Sequence, residues 1–267
     1  MFKMKVGVYS HVGNSRQQQE DSVLAINGTK VLFACGGKGA KSQAEYLSEE
    51  LESNQALFAL SDGMGGHLSG EIASYYTLAL VAKNAMSLYS LDEDKTLSII
   101  ADINKEIVKK SIENPELKGM GATLCGVVLQ DKQVIAFNVG DSRIYSFVDG
   151  KLTQITKDHT EGRRLLELRL LNEEELETFA HRKSLYKYIG TRSNLKADFI
   201  KPEEVINGQT FLLCSDGLTD VVNNDEIEKI LRGNCSIKEK VTQLVNQAVK
   251  RNIGVGDNIS LMVIEFI

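Results

Sequence analysis

The sequence has few of the residues that build disulfide frames and transition-metal sites. Its 267 residues include four cysteines and four histidines. The cysteines (Cys35, Cys125, Cys214 and Cys235) form no Cys-x-x-Cys pair, and no two histidines stand at metal-ligand spacing. We therefore expect buried free thiols in a reducing cytosol, and hence a cytoplasmic protein, instead of a disulfide frame or a zinc site.

Long apolar runs and an excess of positive charge are also absent. No run approaches 18 apolar residues, and residues 1–6 lack the apolar core of a signal peptide, so we expect neither a leader nor a membrane partner. The net charge of −5 argues against a general nucleic-acid binder. An anionic substrate stays compatible with this charge, because bound divalent cations can reverse the local field.

The remaining composition is that of one globular domain. The chain is 42% hydrophobic and 25% charged, and it is long enough to bury a sizeable core within a single domain over residues 1–267. Apolar runs and periodicity predict strands at 5–10, 22–26, 31–34, 56–60, 122–129, 134–139, 143–148, 210–214 and 259–266. Helices are predicted at 44–51, from 69 onward, near 97–108, at 224–232 and from 236.

Two distant stretches share one local pattern. The apolar run Ala56–Leu60 leads into Ser61-Asp62-Gly63-Met64-Gly65-Gly66-His67, and a second apolar run leads into Ser215-Asp216-Gly217. Glycines let the backbone approach a ligand closely, and an Asp at a strand end is a well-held oxygen ligand for Mg²⁺ or Mn²⁺. Either stretch alone is also typical of a structural turn. Two of them suggest two carboxylates delivered to one metal cluster.

Further carboxylates stand at predicted strand ends or in glycine-rich loops. They are Glu20, Asp21, Asp141 and Asp257. Each alone is compatible with a turn residue, but together with the two Ser-Asp-Gly sites they describe an all-oxygen site that suits Mg²⁺ or Mn²⁺. Two such ions can share and deprotonate a water and clamp an in-line phosphoryl displacement. Arg16, four residues before Glu20, is the candidate to hold phosphate oxygens through a bidentate fork.

An ordered set of motifs resembles the metal-dependent protein phosphatases, the type 2C serine/threonine phosphatases of bacterial style. The set comprises Arg16…Glu20-Asp21, Ser61 to His67, Gly121-Ala122-Thr123, Asn138 to Arg143, Leu152-Thr153…Asp158-His159, Ser215 to Leu218 and Asp257-Asn258. The similarity covers about residues 5–266. It implies an α+β fold, a four-layer α-β-β-α sandwich of two central antiparallel sheets flanked by helices.

The resemblance also implies roles for individual residues. Asp62 would bridge two metals, the Gly63 carbonyl would bind one of them, and Asp216 and Asp257 would ligate the second. Glu20 and Asp21 would hold metals directly or through water, Asp141 would hold a third, weaker ion, and Arg16 would bind the substrate phosphate. The implied reaction is hydrolysis of protein phosphoserine or phosphothreonine by a metal-bridging hydroxide that attacks phosphorus in line. The implied partners are phosphoproteins and a Ser/Thr kinase in signalling.

The segment at about 158–196 matches the family's flap, which shapes substrate access. The chain departs from the family pattern in an insertion at about 27–55, which contains Gly36-Gly37-Lys38-Gly39, and at single positions. Met64 stands where some members carry a His that acts as general acid, and His67 does not match that position, so the role is not transferred. Two other interpretations stay open: a pseudophosphatase that only binds, and a metal-dependent hydrolase of small phosphoesters.

Overall fold

Two antiparallel β-sheets stack against each other in this computed structural model, which describes residues 2–35, 44–65, 69–251 and 256–267. The described strands are β1 (Phe2–His11), β2 (Asp21–Asn27), β3 (Lys30–Cys35), β4 (Ala44–Ser53), β5 (Gln55–Met64), β6 (Gly121–Ala122), β7 (Leu124–Gln130), β8 (Gln133–Val139), β9 (Arg143–Val148), β10 (Lys151–Gln154), β11 (Asp198–Glu204), β12 (Thr210–Cys214) and β13 (Ile259–Phe266). One sheet has the order β10-β9-β12-β13-β1-β4, and the other has the order β11-β8-β7-β5-β2-β3 with β6 beside β5.

Helices cover the outer face of each sheet. The described helices are α1 (Ser69–Lys83), α2 (Ala85–Leu88), α3 (Glu93–Glu113), α4 (Glu161–Glu167), α5 (Glu173–Thr178), α6 (Asp216–Thr219), α7 (Asn224–Arg232) and α8 (Ile237–Arg251), with a 3₁₀ turn at Pro115–Leu117. Helices α1 to α3 share an apolar core with the β5 sheet, and α6 to α8 share another with the β1 sheet. No helix among the described residues is long and apolar enough to cross a membrane.

The side-chain alternation of β5 shows why the sandwich has four layers. Leu57 and Ala59 belong to the core under α1 to α3, whereas Phe58 and Leu60 belong to the core between the two sheets. Successive side chains of a strand point to opposite faces, so a strand covered on both faces must be apolar throughout. The run Ala56–Leu60 meets that requirement, and the predicted α-β-β-α sandwich is confirmed.

The helix predicted at 44–51 is wrong, because this segment forms strand β4. Strand β4 pairs with β1 in antiparallel register, from Phe2 opposite Ser53 to His11 opposite Ala44. Lys3 stands opposite Glu52, 3.0 Å away, and Lys5 stands opposite Glu50. These cross-strand pairs, and the backbone hydrogen bonds that β1 gains from β4, outweigh the helical preference of the local sequence. Charged side chains are tolerated on β4 because it is the edge strand of its sheet.

The segment expected as an insertion lies at the edges of the two sheets. The segment expected as a flap lies beside the candidate site. Residues 27–55 contribute one edge strand to each sheet, β3 and β4. Residues 36–39 lie outside the described part of the chain, and the insertion boundaries stay a prediction. Within 158–196 the two helices α4 and α5 are short; α4 buries Gly162, and α5 has no buried residue. Isolated bridges from Thr160 to Leu185 and from Ala122 to Ile189 fasten this segment to the body of the protein.

Candidate active site

Strands β2 and β5 place two aspartates side by side. In the antiparallel register Asp21 stands opposite Asp62. Strand β5 does not end at Asp62 as predicted; it continues to Met64, because β6 pairs with Gly63 and Met64. The central aspartate therefore projects from a paired strand and not from a free loop. A paired strand fixes the carboxylate more rigidly than a loop does.

Thr123 forms hydrogen bonds with both the backbone N–H and the backbone carbonyl of Asp62. The Asp62 N–H donates to Thr123 Oγ1 at 2.8 Å, and the Thr123 N–H donates to the Asp62 carbonyl at 2.8 Å. The Thr123 hydroxyl also lies 2.7 Å from Ser142 Oγ, and Ser61 Oγ donates to the Thr123 carbonyl at 2.6 Å. Thr123 and Ser142 belong to the sequence motifs without an implied role, and this network gives them one: it sets the position of Asp62.

Gly63 is required by the close approach of three backbone segments. A Cβ atom at this position would lie 2.0 Å from the carbonyl oxygen of Gly70 and 2.7 Å from that of Glu20. The Gly63 N–H donates to the Glu20 carbonyl at 3.1 Å. On the other side, a Cβ on Gly70 would lie 2.9 Å from the Glu20 carboxyl carbon. Glu20 is thus wedged against the first turn of α1, close to the β5 backbone.

Asp216 and Asp257 come from the other sheet. Asp216 is the first residue of α6, separated from the end of β12 by Ser215, and Asp257 lies two residues before the start of β13. A Cβ on Gly217 would lie 2.0 Å from the Asn258 carbonyl, so the two segments touch. The Asn258 side-chain amide donates to the carbonyls of Val12 at 2.8 Å and Gln18 at 3.0 Å, which anchors the loop that carries Arg16. The sequence showed Asn258 only as the neighbour of Asp257.

Asp141 sits in the turn between β8 and β9. The preceding Gly140 has φ +105°, and a Cβ there would lie 2.6 Å from the Thr123 methyl group. The Gly140 N–H donates to Nδ1 of the buried His159 at 3.0 Å. His159 Nε2 in turn lies 3.1 Å from Asp198. His159 therefore acts on the site through the backbone of this turn, a role that no local motif indicates.

The carboxylates gathered here repel one another. Burial raises the pKa of Asp21 to about 7 and that of Asp141 to about 6, and nearby carboxylates add to both shifts. The pKa values of Asp62 and Asp216 lie well above the ordinary range, with burial as the largest cause and neighbouring aspartates next. The pKa of Glu20 is raised in the same way. The charged forms of these groups need a compensating cation.

Most of the predicted site residues line one cavity of about 520 Å³. The predicted residues on its wall are Arg16, Glu20, Asp62, Gly63, Asp141, Asp216 and Asp257. Asp21 lies behind this wall, fully buried, and accepts a hydrogen bond from Ser215 Oγ at 2.8 Å. Sequence reasoning missed Lys183, Ser184 and Leu185 of the flap segment, which complete the cavity wall. His67 lies outside the described residues.

The donor set fits divalent cations of the hard, oxygen-binding kind. Oδ1 of Asp21 and Oδ1 of Asp216 are buried and have no hydrogen-bond partner within the described part of the chain. Buried carboxylate oxygens without partners are costly unless an ion binds them. The described side chains do not form a ready-made group of three or more His, Cys, Asp or Glu around one ion. Asp257 accepts a hydrogen bond from the Arg16 guanidinium at 2.8 Å.

Comparisons with known proteins agree on one family. The model of the family described as Protein phosphatase 2C matches residues 37–252. The serine/threonine phosphatase Stp of Listeria monocytogenes is 33% identical over 222 residues, which cover 81% of this chain and 86% of that protein. The structure of Stp1 from Staphylococcus aureus superimposes with a TM-score of 0.79 at 28% identity, over 99% of this chain and 95% of that one. The PstP catalytic domain in complex with two manganese ions gives 0.73 at 27% identity, over 98% and 99%.

Proposed function

The chain belongs to the protein phosphatase 2C family, and we propose that it hydrolyses phosphoserine and phosphothreonine on proteins in a reaction that depends on divalent metal ions. The observation that carries this function is the cavity wall, where five carboxylates from both sheets meet one arginine. Such crowding of acids is unfavourable without cations and productive with them. Relatives named as serine/threonine phosphatases indicate the substrate class.

The residues that would hold the metal ions are those that the family resemblance implies. Asp62 would be shared by two ions, the Gly63 carbonyl would serve one of them, and Asp216 and Asp257 would serve the other. Glu20 and the buried Asp21 would hold metals directly or through water, and Asp141 would hold a third, weaker ion. Manganese is favoured by the PstP complex with two manganese ions, and magnesium suits the same oxygen donors.

Bound divalent cations would supply a water of lowered pKa and neutralise phosphate oxygens. The protein's own contribution is position and charge. Arg16 binds the substrate phosphate, because a guanidinium offers five N–H donors in a planar fork and Asp257 occupies one of them. The Thr123 network keeps Asp62 fixed, so the cluster needs little reorganisation during the reaction.

The cellular setting belongs to the same proposal. Phosphorylated proteins are the substrates, and a Ser/Thr kinase that phosphorylates them is the natural opposing enzyme. Cys125 and Cys214 are free and buried, which suits a reducing compartment such as the cytoplasm. The acidic net charge supports a protein substrate over nucleic acid.

A metal titration tests this function. Chelator-treated protein is titrated with Mn²⁺ or Mg²⁺ while turnover of a phosphothreonine peptide is measured beside that of small phosphate esters. We expect no turnover without metal, saturable activation by Mn²⁺, and a higher kcat/KM on the peptide. Binding without turnover at saturating metal would identify a pseudophosphatase. A higher kcat/KM on small metabolite phosphates would favour a small-molecule phosphoesterase instead.

A further inference from the structure

The described wall of the active-site cavity has two cationic side chains on it. Arg16 comes from the loop before β2, and Lys183 comes from the flap segment. Lys183 also lines a second cavity of about 250 Å³, whose wall includes Asp141 and Asp216. The lysine therefore stands between two spaces that both border the candidate metal ligands. A substrate phosphate is a dianion near neutral pH, and such a group attracts a nearby ammonium.

The backbone on each side of Lys183 is held in place. The Arg182 carbonyl accepts from the Gly162 N–H at 3.2 Å, and the Ser184 carbonyl accepts from the Glu161 N–H at 2.8 Å. A bridge between Thr160 and Leu185 continues this pairing. These contacts fix the backbone of Lys183 relative to the start of α4.

Asp220, which lines the second cavity but not the active-site cavity, pairs with the Lys183 ammonium. The two side chains form an ion pair, and they are 56% and 35% exposed. An exposed pair of this kind contributes at most about 1 kcal/mol, so exchanging the carboxylate for another anion costs little. A phosphate offers more charge and more acceptor oxygens than one carboxylate does. Asp220 follows Asp216 by one helical turn, which keeps the ammonium within the neighbourhood of the proposed metals.

We propose that Lys183 is a second substrate-binding residue, which leaves Asp220 and contacts the phosphate oxygens of the phosphorylated side chain. This inference rests on the proposed function, since it names a further contact in the same site. Arg16 and Lys183 then hold the phosphate from two separate segments of the chain. The lysine also ties the flap to the bound substrate, so the flap segment takes part in recognition.

The test separates a substrate contact from a mere tether between flap and α6. Lys183→Met and Asp220→Asn both break the ion pair, but only the first removes the ammonium. Lys157→Met is the matched control, because Lys157 also pairs with the flap, 3.7 Å from Glu167, and does not line the active-site cavity. Each variant is assayed for KM and kcat on a phosphothreonine peptide at saturating Mn²⁺. Affinity for inorganic phosphate is measured by calorimetry on the Mg²⁺-loaded protein.

We expect Lys183→Met to raise the peptide KM and the phosphate dissociation constant together, roughly three- to tenfold, with kcat within about twofold of wild type. Asp220→Asn should leave both constants at or below the wild-type values, and Lys157→Met should match wild type. The inference is overturned if Asp220→Asn reproduces the effect of Lys183→Met, or if phosphate affinity does not change in Lys183→Met. The two proposals can also fail separately. If Lys183→Met loses phosphate affinity while the wild type binds phosphate but hydrolyses no phosphopeptide, the lysine contact is supported and the proposed function is refuted.

Discussion

Replacing Asp21 by Asn should stabilise the metal-free protein at neutral pH, although Asp21 belongs to the proposed metal site. Asp21 is 1% exposed, and burial raises its pKa to about 7. A carboxyl group whose pKa is higher in the folded than in the unfolded state favours folding when protonated. Its contribution is fully present below the unfolded pKa near 4 and is lost as the pH rises through about 7.

The size of this loss follows from the shift. One pKa unit corresponds to about 1.4 kcal/mol, so Asp21 alone should lower the free energy of unfolding by about 2 kcal/mol between about pH 5.5 and pH 8. Asp62 and Asp216 act with the same sign. Asn has nearly the same shape, keeps an acceptor for Ser215 Oγ and carries no charge, so the variant should lose the part of the pH dependence that Asp21 contributes.

Urea unfolding of chelator-treated protein at about pH 5.5 and pH 8 measures the effect. Asp21→Asn should be more stable than wild type at the higher pH, and saturating Mn²⁺ should reverse that order. Asp198→Asn is the control of opposite sign, because hydrogen bonds from His159 and Lys187 hold the pKa of Asp198 below its usual range and its charged form supports folding. A metal-free Asp21→Asn that is less stable than wild type at about pH 8 would refute the electrostatic reasoning.

Two further substitutions test the framework around Asp62. Gly63→Ala would place a methyl group 2.0 Å from the Gly70 carbonyl, so it should lower the unfolding midpoint and weaken Mn²⁺ affinity; unchanged values of both would contradict this. Thr123→Val leaves the Asp62 N–H without its acceptor and should cost about 1–3 kcal/mol in urea unfolding, whereas Thr123→Ser should stay near wild type; equal losses in both variants would show that the hydroxyl is unimportant.

Local patterns in the sequence predict the sandwich well where a strand is buried on both faces. The run Ala56–Leu60 is apolar without interruption because both of its faces are covered. Strand β4 escaped prediction, since its acidic sequence resembles a helix and its pairing with β1 is non-local. The extension of β5 to Met64 has the same origin, because its partner Gly121 lies far along the chain.

In the candidate site, too, the residues in short local motifs were predicted and the distant groups that position them were not. The acids stand in short motifs that the sequence displays, and seven of the eight predicted residues line one cavity. The groups that hold them act across long separations. Asn258 fastens a loop more than 200 residues away, and Lys183 reaches the cavity from a polar segment without a motif. Hydrogen bonds between distant backbone segments leave no periodic trace in a sequence, so the structure was needed to find them.

The central claim is that Asp62 holds the metal ions on which turnover depends. The most direct test is the Mn²⁺-dependent hydrolysis of a phosphothreonine peptide by Asp62→Asn, with Mn²⁺ affinity and urea unfolding measured on the same protein. We predict that turnover and tight Mn²⁺ binding are lost together, while the metal-free variant is at least as stable as wild type, because burial and neighbouring aspartates disfavour the charged form of Asp62 and Asn does not ionise. A folded Asp62→Asn with full Mn²⁺-dependent activity would contradict the account.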